Sequence, residues 1–142
     1  MRVAEFRLDD LDRLENFGGQ EYLVSLTDRE KFAFGLRGGN HYSLFSDEKL
    51  VACIGFAPVH DWRCTAWALL KGGEPQLFVA IHIVARRLLR SQPWRRVEAY
   101  IDPTFEPAVR WMQLLGFQIE TAYKPYYCPD GRGASEWVFF TG

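Results

Sequence analysis

The sequence contains few of the residues that build metal centres or disulfide frameworks. Its 142 residues include only three histidines and three cysteines, Cys53, Cys64 and Cys128, which are odd in number and widely spaced. Neither a Cys-x-x-Cys motif nor a Cys/His ligand cluster occurs. This pattern argues against structural zinc and against a disulfide framework. We therefore expect reduced thiols, as in a cytoplasmic protein, and no metal site.

A charge excess and long apolar runs are missing as well. The chain has 17 basic and 18 acidic residues, so it shows no overall bias toward nucleic acid or an anionic membrane. We interpret the arginines of 86–96 as a solvated helix end rather than a phosphate-binding surface. No segment reaches the roughly 18 apolar residues that a membrane-spanning helix needs. Charges also stand where a signal peptide has an apolar run. The sequence thus predicts a cytoplasmic protein with no nucleic-acid or membrane partner.

What the chain does contain fits one folded domain over residues 1–142. Its length is close to the commonest domain size, and 48% of its residues are hydrophobic, which is enough for a core. No linker, repeat or low-complexity tract divides it. Apolar periodicity and turn residues predict strands at 3–8, 41–45, 50–59, 62–70, 96–101, 118–123 and 136–140. Helices are predicted at 9–17, at 21–36 as one or two pieces, at 76–90, and before Gly116.

The segment 97–117 is the most informative part of the chain. A run of strand formers ends at Asp102-Pro103, and an amphipathic helix with Ala108, Trp111, Met112 and Leu115 on one face leads to Gly116-Phe117. This order resembles the C-terminal segment of the GNAT family of N-acetyltransferases, and the opening 7–14 resembles the first strand and helix of that family. The resemblance implies an α/β (α+β) acyl-CoA N-acyltransferase-like fold of order β-α-α-β-β-β-α-β-α-β-β. It also implies a mixed, splayed sheet flanked by helices.

The cofactor loop of that family departs from its pattern in this chain. In the family, Gln/Arg-x-x-Gly-x-Gly/Ala opens the long helix and binds the coenzyme A pyrophosphate through backbone amides. The resemblance carries this role onto Leu70, Lys71, Gly72, Gly73 and Gln76, with acetyl-CoA as the cofactor if the protein is an enzyme. However, the segment also includes Glu74, which adds a carboxylate, and Pro75, which removes a donor. We favour the alternative that this is an ordinary strand-to-helix turn.

The catalytic groups of the family are replaced too. Its tyrosine, which protonates the departing thiolate, corresponds to Met112, which has no proton to donate. Its frequent asparagine corresponds to Asp102. The strand at 62–70 contains no acid, so His60, in the turn before that strand, is the one candidate base. Cys64 has no identifiable base to activate it, and His82 fits the flank of an apolar helix face.

These losses favour a protein without transferase chemistry. In length, altered cofactor loop and C-terminal half, the chain resembles small GNAT-like proteins of tailed phages, including internal virion proteins. That resemblance implies a structural, virion-associated protein that acts by protein–protein contact, in the host cytoplasm or packaged in a virion, with acyltransferase activity reduced or lost. The alternative is an active acyl-CoA-dependent N-acetyltransferase that acts on a primary amine.

Two further expectations separate these hypotheses. We expect the family's gap between the fourth and fifth strands to persist but to be filled by Trp67, Tyr100 and Met112. Four aromatic residues flank the turn at 129–133, namely Tyr123, Tyr126, Tyr127 and Trp137. They are either edge-strand aromatics around a hairpin turn or a surface for a protein partner, which is the use that interfaces make of Tyr and Trp.

Overall fold

A seven-stranded mixed sheet organises the part of the chain that the computed structural model describes, which is residues 1–14, 36–71, 74–128 and 130–141. The strands are β1 (Arg2–Glu5), β2 (Asn40–Ser46), β3 (Lys49–His60), β4 (Arg63–Leu70), β5 (Arg96–Ile101), β6 (Gln118–Lys124) and β7 (Ala134–Phe140). The described helices are a 3-10 helix (Leu8–Arg13), α1 (Pro75–Arg90) and α2 (Glu106–Leu115).

The strand order is β1-β2-β3-β4-β5-β7-β6. Strands β1 to β4 pair antiparallel in sequence, β4 and β5 pair parallel, and β7 lies antiparallel between β5 and β6. The parallel pair requires a crossover, which α1 provides. The mixed α+β fold class predicted for the chain is confirmed.

Helices α1 and α2 cover one face of the sheet. Helix α1 buries Ile81, Ala85 and Leu89, and α2 buries Trp111 and its neighbours Met112 and Leu115 in the same cluster. Both helices show the three- and four-residue apolar spacing expected from the sequence. The core therefore lies between these helices and the inward-facing residues of β3, β4, β5 and β7.

Most predicted elements are observed close to their expected bounds, but the N-terminal strand is shorter. It ends at Glu5 instead of residue 8, because a 3-10 helix begins at Leu8. Asp10 anchors that helix: its carboxylate accepts a hydrogen bond from the Arg7 backbone amide at 3.0 Å and another from the Ser43 hydroxyl at 2.7 Å. The helix predicted at 21–36 lies outside the described residues up to 35, as does the end of the one predicted at 9–17.

Gly116 ends α2 in the left-handed conformation, with φ 96°. The Phe117 amide donates to the Met112 carbonyl at 2.9 Å, so this carbonyl in the last turn of the helix has a hydrogen-bond partner. We expect Gly116→Ala to lower the free energy of unfolding by about 1–2 kcal/mol, since an L-residue is strained there. A Cβ would also press on the Phe139 ring at 3.3 Å. Urea denaturation measures the change.

Gly131→Ala is the matched control, because Gly131 has φ 88° and a Cβ added to it would meet no atom within 4 Å. It isolates the conformational penalty from the contact with Phe139. An unfolding free energy unchanged by Gly116→Ala would contradict the capping role.

Candidate functional site

The sheet opens between its two parallel strands, β4 and β5. Their register joins only three pairs, Arg63–Arg96, Cys64–Val97 and Thr65–Glu98. Beyond these, β4 continues to Leu70 and β5 to Ile101 with no further pair between the two described strands. The predicted splay is therefore confirmed, and its open end is at the carboxyl ends of both strands.

A cavity of about 150 Å³ lies in this gap. Because a water molecule takes roughly 30 Å³ in the liquid, the space suits about five waters or a small organic group. Trp67, Tyr100 and Met112 line the cavity but do not fill it, so the expectation of a filled gap is wrong. The reason is that small side chains alternate with the large ones along the strands. These are Ala66 and Ala68 on β4 and Ala99 on β5.

His41 fixes Trp67 in the cavity wall. The Trp67 indole N–H donates to His41 Nδ1 at 3.1 Å, and His41 Nε2 lies 2.7 Å from the Leu36 carbonyl oxygen. Both contacts are satisfied by a neutral imidazole with its proton on Nε2. Burial lowers the pKa of His41, and the bond to Leu36 opposes this only in part. At Gly55 a Cβ would collide with both rings, so this close packing requires glycine.

Glu98 places a buried carboxylate at the closed end of the gap. It is 2% exposed, and it pairs with Arg63 of β4 and, at 3.5 Å, with Arg96 of its own strand. The ion pair with Arg63 joins β4 to β5 where their backbone pairing ends. The sequence offered no acid on β4, and this one comes from β5 instead. The alternation Arg96-Val97-Glu98-Ala99-Tyr100 contained the signal, since it puts the three polar residues on one face.

Tyr100 joins the cavity to a second buried acid. Its hydroxyl donates to Glu136 Oε1 at 3.2 Å and lies 3.4 Å from Glu98 Oε2. Burial raises the pKa of Tyr100, and contacts with Tyr127 and Glu136 raise it further. The phenol therefore stays protonated at neutral pH. Our sequence interpretation gave Tyr100 a filling role and missed the contacts of its hydroxyl with these two buried acids.

Lys124, at the end of β6, completes this polar group. Its ammonium lies 2.7 Å from Glu136 Oε2 and over the rings of Tyr100 and Tyr127, at 5.3 and 5.5 Å from their centroids. The two rings stack at 4.6 Å. Burial alone would raise the pKa of Glu136, but the hydrogen bond and charge of Lys124, with Tyr100 and Arg96, hold it below its usual value. Glu136 is therefore ionised at neutral pH.

Asp102 lines the cavity at the end of β5. One carboxylate oxygen accepts from the Thr104 amide at 2.9 Å and from its hydroxyl at 2.7 Å, and the other lies 3.3 Å from the Arg132 guanidinium. Burial pushes the pKa of Asp102 up, yet these partners outweigh it and the net pKa is lowered. Asp102 therefore stays charged and holds the β6–β7 loop to the cavity rim, so it is not a proton donor.

The predicted cofactor residues extend from Leu70, the last residue of β4, to Gln76 in the first turn of α1. Leu70 is half-buried, while Lys71 and Gln76 are exposed. Gly72 and Gly73 lie outside the described residues. Helix α1 begins at Pro75 and has no side-chain cap. Since proline has no N–H, and the Phe78 amide donates to the Glu74 carbonyl at 3.1 Å, the amides of Gln76 and Leu77 are left for an anion.

His60 lies away from the cavity. It ends β3 and pairs with Arg63, at the closed end of the gap, and its side chain is exposed. Its Nδ1 accepts a hydrogen bond from the Trp62 amide at 3.2 Å. His60 is not among the cavity residues. The structure therefore separates this candidate base from the cavity and from Leu70 at the other end of β4.

Other residues with potential chemistry are structural. Burial raises the pKa of Cys64 to about 12, so its thiol is not an active nucleophile. The described cysteines are all free. His82 accepts the Trp111 indole N–H at 3.2 Å, as expected of a satisfied flank residue.

Among the described residues, no group of three or more His, Cys, Asp and Glu side chains could hold a metal ion. None of the described helices is long and apolar enough to cross a membrane.

Comparison with solved structures identifies the architecture. A spermidine N-acetyltransferase variant from Vibrio cholerae superposes with a TM-score of 0.72 at 10% identity, over 99% of this chain and 95% of that one. An aminoglycoside 6'-acetyltransferase of type Ii gives 0.68 at 14% identity, over 99% and 97%. A GNAT-family acetyltransferase from Bacillus anthracis gives 0.68 at 16%, over 97% and 93%. The chain has the GNAT fold.

This GNAT-fold chain has no match among models of protein families or among curated protein sequences. At identities of 10–16% the similarity establishes architecture alone. The chemistry of the site therefore depends on its own residues.

Proposed function

We propose that this protein is an acyl-CoA-dependent N-acyltransferase that acts on a primary amine. The observation that carries the proposal is the open, largely apolar cavity between the diverging strands β4 and β5, which Tyr100 lines while its hydroxyl donates to Glu136. The sequence favoured a protein without this chemistry because two features of the family are lost together, the glycine pattern of the cofactor loop and the tyrosine, which Met112 replaces. Tyr100 offers a phenol at the same cavity from a different element.

The residues around the gap suit an acyl-CoA thioester as substrate. The Lys71 ammonium and the amides of Gln76 and Leu77 are donors for phosphate oxygens, although the Glu74 carboxylate opposes them. The alanine-lined space between β4 and β5 accepts a short acyl chain. The thioester supplies an activated carbonyl to the amine. We expect modest affinity, since each charge-assisted contact contributes only about 1.5–3 kcal/mol.

Two roles follow for the polar side chains at the gap. We assign proton donation to the leaving sulfur to Tyr100, whose phenol is protonated at neutral pH. The ionised carboxylate of Glu136 supplies negative potential that favours a protonated amine over a neutral or anionic acceptor. His60 has no part in this proposal, because it lies at the other end of β4.

Acetyl-CoA titration by calorimetry tests the proposal. We expect micromolar binding by the parent protein and at least about a tenfold loss in Ala66→Leu, whose larger side chain takes up cavity volume. Ala122→Leu is the matched control, since Ala122 is exposed on β6 and does not line the cavity. Thiol release with a primary amine should follow the same order. An absence of binding heat, or equal binding by both variants, would refute the site.

A contact function is the second candidate, favoured by the aromatic residues at the β6–β7 end. Tyr126 is 86% and Tyr123 59% exposed, and Tyr126 has the unusual φ of 55° for a non-glycine residue. Trp137, by contrast, is buried. This hypothesis keeps the virion-associated role, in host cytoplasm or packaged, with a protein partner at these tyrosines. It expects no acetyl-CoA binding, so the same titration separates the two proposals.

A further inference from the structure

Lys124 occupies a site with the chemistry of an alkylammonium receptor. A carboxylate and two aromatic faces are the groups that bind an ammonium most strongly. Here Glu136 is 6% exposed, lies 2.7 Å from the Lys124 nitrogen, and is oriented by the Tyr100 hydroxyl. Tyr100 and Tyr127 supply the rings. We call Tyr100, Tyr127 and Glu136 the ammonium box.

The ammonium box adjoins the cavity between β4 and β5. Tyr100 belongs to both, since it lines the cavity and its ring centroid is 5.3 Å from the Lys124 nitrogen. Tyr100 is thus shared by the lysine site and by the space in which we place the acyl group. The Lys124 side chain is 34% exposed, so its flexible stem has room to move. Lys49 has no such position, because it lies in the β2–β3 hairpin at the start of β3.

We propose that Lys124 is itself an acyl acceptor, modified at Nζ by the thioester that binds in the adjoining cavity. This inference rests on the proposed acyltransferase function and adds to it a modification site within the chain. Tethering raises the local concentration of the amine far above that of a free acceptor. An intramolecular reaction is therefore favoured whenever no external amine occupies the mouth of the cavity.

The reaction is balanced within these groups. The Lys124 ammonium first loses one proton to Glu136, which passes it to solvent, and the free amine then attacks the thioester carbonyl. An N–C bond forms and the C–S bond breaks. The second proton of the amine goes to the departing sulfur by way of Glu136 and the Tyr100 hydroxyl. The products are an Nζ-acyl-lysine, a free thiol and one proton.

Acylation changes what the ammonium box can bind. The amide product carries no charge, so it forms neither the ion pair with Glu136 nor the cation–π contacts. The carboxylate and the two rings are then left without their cation. A protonated primary amine from another molecule fits that arrangement, and self-acylation would thus convert an occupied acceptor site into an open one.

The test compares two acetyl donors on the same protein, with peptide mass spectrometry at Lys124 and Lys49. With acetyl-CoA we expect Lys124 to react at least about tenfold faster than Lys49, because Lys124 contacts Tyr100 of the cavity wall and Lys49 lies in the β2–β3 hairpin. With a small chemical acylating agent the order should reverse, since Lys124 is ion-paired and partly buried whereas Lys49 is exposed. The reversal is a readout that simple lysine reactivity does not produce.

A cavity variant, its control and the dependence of the rate on protein concentration test whether the reaction at Lys124 is intramolecular. Ala66→Leu should abolish the preference for Lys124 and leave Lys49 unchanged, and Ala122→Leu should preserve it. The rate should be independent of protein concentration. Lys124 modification no faster than that of Lys49, in a protein that binds acetyl-CoA by calorimetry, overturns this inference and leaves the proposed function intact. If acetyl-CoA does not bind at all, both fail. A preference that survives Ala66→Leu also overturns the inference.

Discussion

Glu98→Ala is expected to lower the free energy of unfolding by about 3 kcal/mol. Removing one partner of a buried ion pair costs roughly 3–5 kcal/mol, because the remaining charge is left without compensation. We expect the lower end here, since Arg63 and Arg96 are 36% and 28% exposed and reach solvent. The loss should be large nonetheless, because Glu98 joins β4 to β5 where their backbone pairing ends. Chemical denaturation measures it.

Glu106→Ala serves as the control for Glu98→Ala. Glu106 pairs with Arg110 on the surface of α2, at 2.9 Å, and both side chains are more than 70% exposed. Such a pair contributes about 0.3–0.5 kcal/mol at most. If the two variants lose similar stability, the buried ion pair contributes no more than the exposed one. Glu98 then does not hold the diverging strands β4 and β5 together.

Tyr100→Phe is expected to lower the turnover number for amine acylation by about a hundredfold while the Michaelis constant for acetyl-CoA changes little. Proton transfer by a positioned side chain contributes about 10²–10⁴ in rate, and phenylalanine keeps the ring that lines the cavity. Because burial raises the pKa of Tyr100, the parent protein should show no loss of activity from phenol ionisation as the pH rises toward 10. Steady-state kinetics across pH provide the measurement.

A second variant distinguishes proton donation from a structural role of Tyr100. Met112 lines the same cavity from α2, at the position that corresponds to the family's tyrosine. Adding Met112→Tyr to Tyr100→Phe should restore part of the turnover, since a phenol again faces the gap. Tyr126→Phe should leave turnover unchanged, because Tyr126 is 86% exposed and does not line the cavity. Full turnover in Tyr100→Phe would remove our proton donor.

The candidate site was only partly predictable from the sequence. Met112 and Asp102 were correctly placed near the gap, because the order of strand and helix in segment 97–117 predicts their positions. Glu98, Glu136 and Lys124 were missed, since they meet only because β5 pairs with β7, which is distant from it in the chain and carries β6 as its hairpin partner. His60 was nominated for its position before β4, but the direction of that strand carries it to the closed end.

The sequence by itself determined the elements and their class. Period-two and period-3.6 apolar patterns, Gly116 and the turn residues are local signals, and they predicted the strand and helix order that the described residues show. Only the tertiary structure decided whether the gap between β4 and β5 is filled. That outcome depends on how Ala66, Ala68 and Ala99 pack against large neighbours. Likewise, the insertion of β7 between β5 and β6 brings Glu136 to Tyr100, and such non-local pairing leaves no periodic trace in a single chain.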